Sequence, residues 1–319
     1  MAQRDYLLKG SSATLRFALV SCTRAAEAAR LQWRVPSAPA AALLGRALAS
    51  ASLLAAFLKG EERVALHWLC APAAAQRAPV SEVYAEALPI GEVRGYLRGT
   101  AVPGSEGSAG SAGAGAAAAA AWDGALPTGA GGAFTVSKVL YGERTQHRTT
   151  LELARGDIAS EVAHYYAQSE QREAEVRLDA AVDAHTGRVT WCAGMLLEAL
   201  PAEGGLGGGG APAPGAATFE GLRAALRGGS AWPQGLGTAE AAAAVAPGLA
   251  WGKRVPVDFF CRCTAAGFLD KLVGSCPRAL LEQMLAEAAD GVAATLVCSF
   301  CNKSHAIAVP ELQRKLASA

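Results

Sequence analysis

Hydrophobic and polar positions alternate in several short segments of this chain, which is the pattern of half-buried β-strands. Two such segments are "TLRFALVSC", from Thr14, and "ERVALHWLC", from Glu62. Later segments with strand character are "EVRGYLRG", "AFTVSKVL", "HRTTLELA", "EVRLDAAVD" and "TWCAGMLLEAL". The last two are joined by "AHTGR", where Gly187 can adopt the positive φ of a hairpin turn. The pattern predicts mostly antiparallel strands.

Helical spacing of apolar residues occurs between these strands, in "TRAAEAARLQW" and in residues 40–58. The second segment is mostly Ala and Leu but contains Arg46, Ser50 and Ser52, so we interpret it as a packed core helix rather than a membrane span. The fold class predicted is α+β, with an N-terminal domain of mostly antiparallel β-sheet and packed helices.

Two segments differ in composition from the rest of the chain. Residues 101–133 contain 9 and residues 201–255 contain 14 of the 36 glycines. Chains of Gly, Ala, Ser and Pro bury too little apolar surface to offset the entropy of ordering. We therefore expect a disordered low-complexity insertion at 101–133 and a flexible linker at 201–255.

Within the linker, "TFEGLRAALRGG" and "TAEAAAAV" have the composition of short helices, with Thr218 and Thr238 as candidate N-caps. Helices of this length are marginal alone. The domains predicted are therefore an N-terminal domain at 1–200, the helical linker, and a small C-terminal domain at 256–319.

Charge and targeting patterns limit the possible partners and compartments. The chain has 29 Lys+Arg and 28 Asp+Glu, so we expect neither nucleic acid nor membrane as a partner. Eight cysteines over 319 residues are too few for a secreted disulfide scaffold, and the clustering of those near the end of the chain favours metal or redox chemistry in a reducing compartment. No targeting signal is visible, which predicts the cytoplasm; an organelle such as the chloroplast is the alternative if a transit peptide is missing from this chain.

Four cysteines form the most specific motif, C-x-C-x34-C-x2-C, made by Cys261, Cys263, Cys298 and Cys301. In an extended strand Cys261 and Cys263 would point to the same face, and the second pair fits a tight turn. Four thiolates suit tetrahedral Zn²⁺. Between the pairs we predict one helix from Pro277 to Gly291, with an apolar stripe formed by Leu280, Leu281, Met284, Leu285 and Ala288.

The remaining cysteines and the nearby histidine are weaker candidates. Cys276, at a predicted helix start, and His305 are alternative ligands that four thiols make unnecessary. Cys22, Cys70 and Cys192 lie in apolar strand-like segments and are interpreted as core residues. The sequence has no hydrolase, zincin or P-loop motif, so we expect no enzymatic activity. A static zinc ribbon that binds nucleic acid or protein remains the alternative.

The chain resembles the 33 kDa chaperonins, a family of redox-regulated heat-shock chaperones. The resemblance rests on "DYLLKG", "LGRALASASLLAAFLKGEERVALHW", "GEVRGYL", "VSKVL", "GDIASEVAHYYAQSEQ" and "CAGMLLEALP", followed by the two cysteine pairs in family order. The chain departs from the family in a slightly long spacer between the pairs, in His305 where tyrosine is usual, and in a shortened segment before Cys261.

The resemblance implies an ATP-independent holdase that binds unfolded client proteins. In the reduced state it would hold one Zn²⁺ and be inactive. Oxidation would form the disulfides Cys261–Cys263 and Cys298–Cys301, release zinc, unfold the C-terminal domain and produce an active form that is often a homodimer.

Overall fold

The structure is a computed structural model that describes residues 4–35, 37–75, 79–99, 122–143, 145–200, 218–227 and 246–318. The chain divides into two compact units, Met1–Phe260 and Cys261–Ala319. The start of the C-terminal domain predicted from the sequence is residue 256, whereas the first compact unit extends to Phe260. The predicted helix at 238–245 lies outside the described residues.

The first unit contains two six-stranded sheets. Sheet A has the order β10-β1-β2-β9-β8, with β11 also paired to β1, and all its pairings are antiparallel. Its strands are β1 (Tyr6–Ser11), β2 (Leu15–Ser21), β8 (Ala174–Val182), β9 (Val189–Ala199), β10 (Ala250–Trp251) and β11 (Val255–Pro256). The β8–β9 turn has Gly187 at φ 66°, as the turn chemistry predicts.

Sheet B has the order β12-β5-β4-β3-β6-β7. Its strands are β3 (Arg63–Leu69), β4 (Glu82–Ala87), β5 (Glu92–Arg98), β6 (Ala133–Val139), β7 (His147–Glu152) and β12 (Asp258–Phe259). All its pairings are antiparallel except the short parallel pair between β12 and β5. The expectation of mostly antiparallel strands is confirmed.

The helices of the first unit fill the space between and beside the sheets. They are α1 (Thr23–Trp33), α2 (Ala38–Ala55), the short α3 (Pro72–Ala75), α4 (Ile158–Tyr165) with a π-helical turn (Tyr166–Glu170), and α5 (Phe219–Arg227). Helix α2 contacts strands of both sheets, so it forms the centre of the unit.

Helix α2 is long and apolar enough to cross a membrane, but 78% of it is buried inside the structure, as a core helix would be. Ser37 caps it by accepting the backbone N–H of Ala40. The hydroxyls of Ser50 and Ser52 donate to backbone carbonyls one turn earlier, so these buried polar groups are satisfied.

Part of the segment expected to be disordered is ordered instead. Residues 122–133 are described, and Leu126 is buried with its N–H bonded to the carbonyl of Gly156 at 2.8 Å. Ala133 begins β6. One buried Leu and a strand pairing stabilise a segment whose glycines alone predict disorder. Residues 101–121 lie outside the described residues.

The second unit is a small α+β unit built on a two-stranded hairpin. Its elements are α6 (Ala265–Ser275), α7 (Arg278–Ala286), β13 (Val292–Val297), β14 (Ser304–Ala308) and α8 (Val309–Ala317). A cluster of five buried residues forms its core: Leu269, Leu281, Ile307, Leu312 and Leu316. This core is small for independent stability.

The predicted helix between the cysteine pairs is partly wrong. Helix α7 begins after Pro277, as predicted, but ends at Ala286 instead of continuing to Gly291. Leu281 is buried, whereas Leu280 is 45% exposed and does not belong to the buried stripe. Helix α6 was not predicted, although its apolar residues Ala265, Phe268, Leu269, Leu272 and Val273 have helical spacing and pack in the core of the unit.

Candidate metal centre

The four predicted cysteines come together in the second unit. Their sulfur atoms all lie within 4.8 Å of one another. The Sγ atoms of Cys261 and Cys298 are 3.7 Å apart, and those of Cys263 and Cys301 are 3.4 Å apart. A tetrahedral zinc with bonds of about 2.3 Å places its four sulfurs roughly 3.8 Å apart. The residues present therefore fit a tetrahedral thiolate site.

Cys298 and Cys301 lie in a tight turn between β13 and β14. The N–H of Cys298 donates to the carbonyl of Lys303 at 2.9 Å, and the N–H of Asn302 donates to the carbonyl of Cys298 at 2.8 Å. Asn302 has φ 53°, a left-handed conformation that asparagine tolerates. The N–H of Phe300 also lies 3.4 Å from Cys298 Sγ. The turn predicted from the spacing thus turns both sulfurs toward the site.

Cys261 and Cys263 are not in a strand, contrary to the prediction. They lie in an irregular segment between Phe259, the end of β12, and Thr264. Thr264 caps α6 by accepting the N–H of Gly267 at 3.0 Å, and so fixes the direction in which the chain leaves the site. The helix cap, rather than strand pleating, orients this pair.

The four thiols perturb one another because they are crowded. Burial and hydrogen bonds from neighbouring sulfurs, Cys301 first among them, raise the pKa of Cys263, and burial raises the pKa of Cys301. At Cys298 burial opposes ionisation, but the N–H groups of Phe300 and Cys301 hold the pKa below its usual value. Clustered thiolates repel one another, so the arrangement favours a bound cation that compensates their charge.

The two alternative ligands occupy different positions. His305 Nε2 lies 3.2 Å from Cys263 Sγ, and its ring packs beside Phe268 with centroids 5.1 Å apart. Cys276 is the C-cap of α6 and packs against the core of the unit; it is not part of the four-sulfur group. His305 is therefore a neighbour of the site and Cys276 a packing residue.

The second apolar face of sheet A is a feature that the sequence analysis did not identify. Seven buried residues form this face, here called the covered face: Tyr6, Leu8, Leu15, Phe17, Leu19, Met195 and Leu197. The opposite side of sheet A packs on α2. Leu222 and Leu226 of α5, together with Leu249 and Trp251, lie over the covered face. Residues of the predicted linker thus bury a surface that would otherwise be exposed.

Polar contacts hold α5 in place over the sheet. Arg223 and Arg227 lie 3.4 Å and 2.9 Å from a carboxylate oxygen of Glu175 on β8. Arg177 donates to the backbone carbonyl of Leu226 near the end of α5. These contacts are near the surface, where ion pairs contribute little each. Apolar packing therefore supplies most of the free energy that holds α5 on the covered face.

Comparison with known proteins identifies the family. A family model described as "Hsp33 protein" matches residues 5–308. The chain belongs to the Hsp33 family. It is a family of chaperones by the names of its curated members, and this chain is similar to several called "33 kDa chaperonin".

The 33 kDa chaperonin of Pelobacter propionicus is 30% identical over 200 residues, which cover 62% of this chain and 59% of that protein. The one from Syntrophotalea carbinolica is 26% identical over 320 residues, covering 98% of this chain and all of its own length. The structure also aligns with the crystal structure of the 33 kDa chaperonin of Thermotoga maritima. The alignment covers 99% of each chain, with a TM-score of 0.71 and 21% sequence identity. The resemblance inferred from sequence and the α+β fold class are therefore confirmed.

Proposed function

We propose that this Hsp33-family protein is a redox-regulated, ATP-independent holdase for unfolded proteins. One observation carries the proposal. The covered face is buried by α5 and Trp251, which belong to the segment that leads into the four-cysteine unit at Cys261. A change in that unit is thus transmitted along the chain to the segment that buries the covered face.

One Zn²⁺ would be held by Cys261, Cys263, Cys298 and Cys301 in the reduced protein. The metal would supply folding free energy, on the order of 10 kcal/mol in small zinc domains. The second unit needs this contribution because only five residues form its buried core. Without metal, the unit would also have to bring together four thiols that repel one another once they ionise.

Oxidation would remove the ligands. A cysteine thiolate attacks a peroxide or hypochlorous acid and becomes a sulfenic acid; the neighbouring thiol then attacks that sulfur, a disulfide forms, and water leaves. The proposed disulfides are Cys261–Cys263 and Cys298–Cys301. The bound metal would hold all four sulfurs as thiolates, which is the form that attacks the oxidant.

Unfolding of the second unit would then expose the covered face. Strands β10, β11 and β12 each have only two residues, and α5 has nine, so none is stable without packing. The exposed face would bind unfolded clients without nucleotide or catalysis. The same face on a second copy would support a homodimer in the oxidised state. We propose the cytoplasm as the compartment.

A coupled measurement tests this function. Zinc content and suppression of client aggregation are measured together, before and after peroxide treatment at heat-shock temperature. The proposal predicts one zinc and no holding activity in the reduced protein, then loss of zinc with gain of holding. Equal holding in both states, or activity without zinc release, would favour a static zinc module. A zinc ribbon would be distinguished from a holdase by binding to nucleic acid. Residues 252–319 contain eight Lys/Arg and six Asp/Glu, so their charge gives little attraction for nucleic acid.

A further inference from the structure

Two cysteines outside the metal centre lie in contact in the core of the first unit. The Sγ atoms of Cys22 and Cys192 are 3.2 Å apart, although the residues are 170 positions apart in sequence. Both are fully buried. They lie on the α2 side of sheet A, because strand alternation places them opposite the covered face. Their burial agrees with the core role predicted from sequence, but core packing does not require two thiols in contact.

The backbone holds this pair in register. Ser21 of β2 pairs with Ala193 of β9, and the N–H of Cys22 donates to the carbonyl of Cys192 at 2.9 Å. Thr23 Oγ1 accepts the N–H of Cys192 at 2.9 Å. Cys22 continues the β2–β9 register by one position and lies opposite Cys192, where opposed antiparallel residues have Cα atoms about 4.5–5.5 Å apart. That separation is within the range that disulfides span.

Helix α2 leaves space for the two sulfurs. Gly45 faces them, and a Cβ at this position would lie 3.0 Å from Cys192 Sγ. The sulfurs therefore have room to move together without displacing a side chain of α2. Cys70 offers a contrast: it is also buried, but its sulfur lies 3.8 Å from the carbonyl oxygen of Val80 instead of beside another thiol.

We propose that Cys22 and Cys192 are a second redox site, a dithiol that peroxide converts to a disulfide within the first unit. The thiolate of Cys22 attacks one oxygen of hydrogen peroxide; a sulfur–oxygen bond forms, the oxygen–oxygen bond breaks, and the leaving hydroxide takes a proton to become water. The thiol of Cys192 then attacks the sulfenic sulfur, the disulfide forms, and a second water leaves. Two thiols lose two electrons, and the peroxide gains them.

This site reacts more slowly than the four-cysteine site. The hydrogen bond with Cys192 and burial raise the pKa of Cys22 well above its usual value, so its thiolate is scarce. Peroxide reaches the pair when the junction of β2 and α1 opens locally, and such openings become more frequent on heating. The second site thus responds to prolonged oxidation at high temperature.

The new bond connects the start of α1 to the middle of sheet A. It closes a loop of about 170 residues and restricts the unfolded chain, which stabilises the folded unit. The expected rise in the melting temperature of the oxidised first unit, relative to the same oxidised unit without this bond, is about 5–10 °C. The stabilised sheet is the one that carries the covered face.

The experiment uses the full-length protein treated with hydrogen peroxide at increasing temperature. Free thiols are alkylated after denaturation, and the non-reduced protein is mapped by peptide mass spectrometry. We expect a disulfide-linked pair of peptides that contain Cys22 and Cys192. It should appear after the disulfides among Cys261, Cys263, Cys298 and Cys301. The melting temperature of the oxidised protein is compared with that of the reduced protein for wild type, Cys192→Ala and Cys70→Ala.

The rise in melting temperature should be lost in Cys192→Ala and retained in Cys70→Ala, which also removes a buried thiol. The proposal is overturned if Cys22 and Cys192 remain fully alkylatable in samples whose C-terminal cysteines are already linked. It is also overturned if the oxidation-dependent rise is equal in Cys192→Ala. The peptide map of the wild type decides the question even if that variant folds poorly.

Discussion

The indole ring of Trp251 meets the ring of Phe17 edge to face, with centroids 5.7 Å apart and planes at 71°. The same indole lies against Gly10, where a Cβ would come within 2.8 Å of Trp251 Cδ2. Its Nε1 is buried, and no residue in the described part of the chain accepts its hydrogen. Trp251 therefore packs on the sheet through apolar contacts while its indole N–H is left unpaired. An unpaired buried N–H weakens this packing, which suits a segment that detaches on oxidation.

Replacing this indole should detach the segment that contains α5 and Trp251 from the covered face. In Trp251→Ala the contacts with Phe17 and Gly10 are lost, and a large aromatic group no longer holds the segment down. We expect the reduced variant to suppress client aggregation several-fold more than reduced wild type, with zinc still bound. Light scattering of a thermally unfolding client measures this effect.

The matched control is Leu31→Ala, which removes a large hydrophobic residue that is 58% exposed on α1. This variant should remain inactive when reduced. If Trp251→Ala also stays inactive, the covered face is not the client-binding surface.

Metal content distinguishes the four clustered cysteines from Cys276. Cys298→Ser removes one of four sulfurs that lie within 4.8 Å of one another, whereas Cys276→Ser changes a packing residue outside the group. We expect the first variant to bind less than a tenth of the wild-type zinc and the second to bind one zinc per chain. Loss of zinc in Cys276→Ser would contradict the ligand assignment.

His305 should be dispensable for the metal. Its Nε2 is 3.2 Å from Cys263 Sγ, close enough to contact the thiol, but the four sulfurs already complete a tetrahedral set. His305→Ala is expected to keep one zinc per chain and to change the affinity by less than tenfold, as measured by competition with a chelator. A stoichiometric loss of zinc would show that the histidine is a ligand.

The first unit should become less stable as pH rises through the pKa of Asp5. Burial raises this pKa from 3.8 to about 6, against the lowering effect of the N–H groups of Ala25 and Arg24. The folded state thus binds more protons than the unfolded state between these values, and stability falls as pH rises. Asp5→Asn removes this titration. The difference in unfolding free energy between variant and wild type should grow by about 2 kcal/mol from pH 4 to pH 7.

Denaturant titrations at several pH values measure that difference. Other titrating groups are common to both proteins and cancel. A difference that does not change with pH would show that Asp5 titrates normally in the folded protein.

Local patterns predict a large part of this structure. Apolar and polar alternation predicted strands β2, β3 and β5–β9, and helical spacing predicted α1 and α2. The alternation is imperfect in β2 and β9, because these strands are buried on both faces. The grouping of the four cysteines was predicted from spacing alone, since short C-x-C and C-x2-C spacings bring their sulfurs together in whatever backbone holds them. The strand predicted for Cys261 and Cys263 was not required for that result.

The features that sequence analysis missed depend on distant contacts. Strand β1 is buried on both faces, so "YLLKGS" has no clear alternation, and its pairing with Trp251 joins residues far apart in sequence. Leu280 fits a helical stripe, but α7 presents it to solvent because the core of the second unit is too small to take every apolar residue. Leu126 is buried within a glycine-rich segment for the converse reason: tertiary packing stabilises it.

Hydrogen exchange in the reduced and oxidised protein tests the central claim most directly. The account predicts that oxidation with zinc release abolishes amide protection in residues 219–227 and 250–318, while β2 and β9 keep theirs, so that the covered face is exposed on an intact sheet. Equal protection of those segments in both states, or simultaneous loss of protection in β2 and β9, would contradict it.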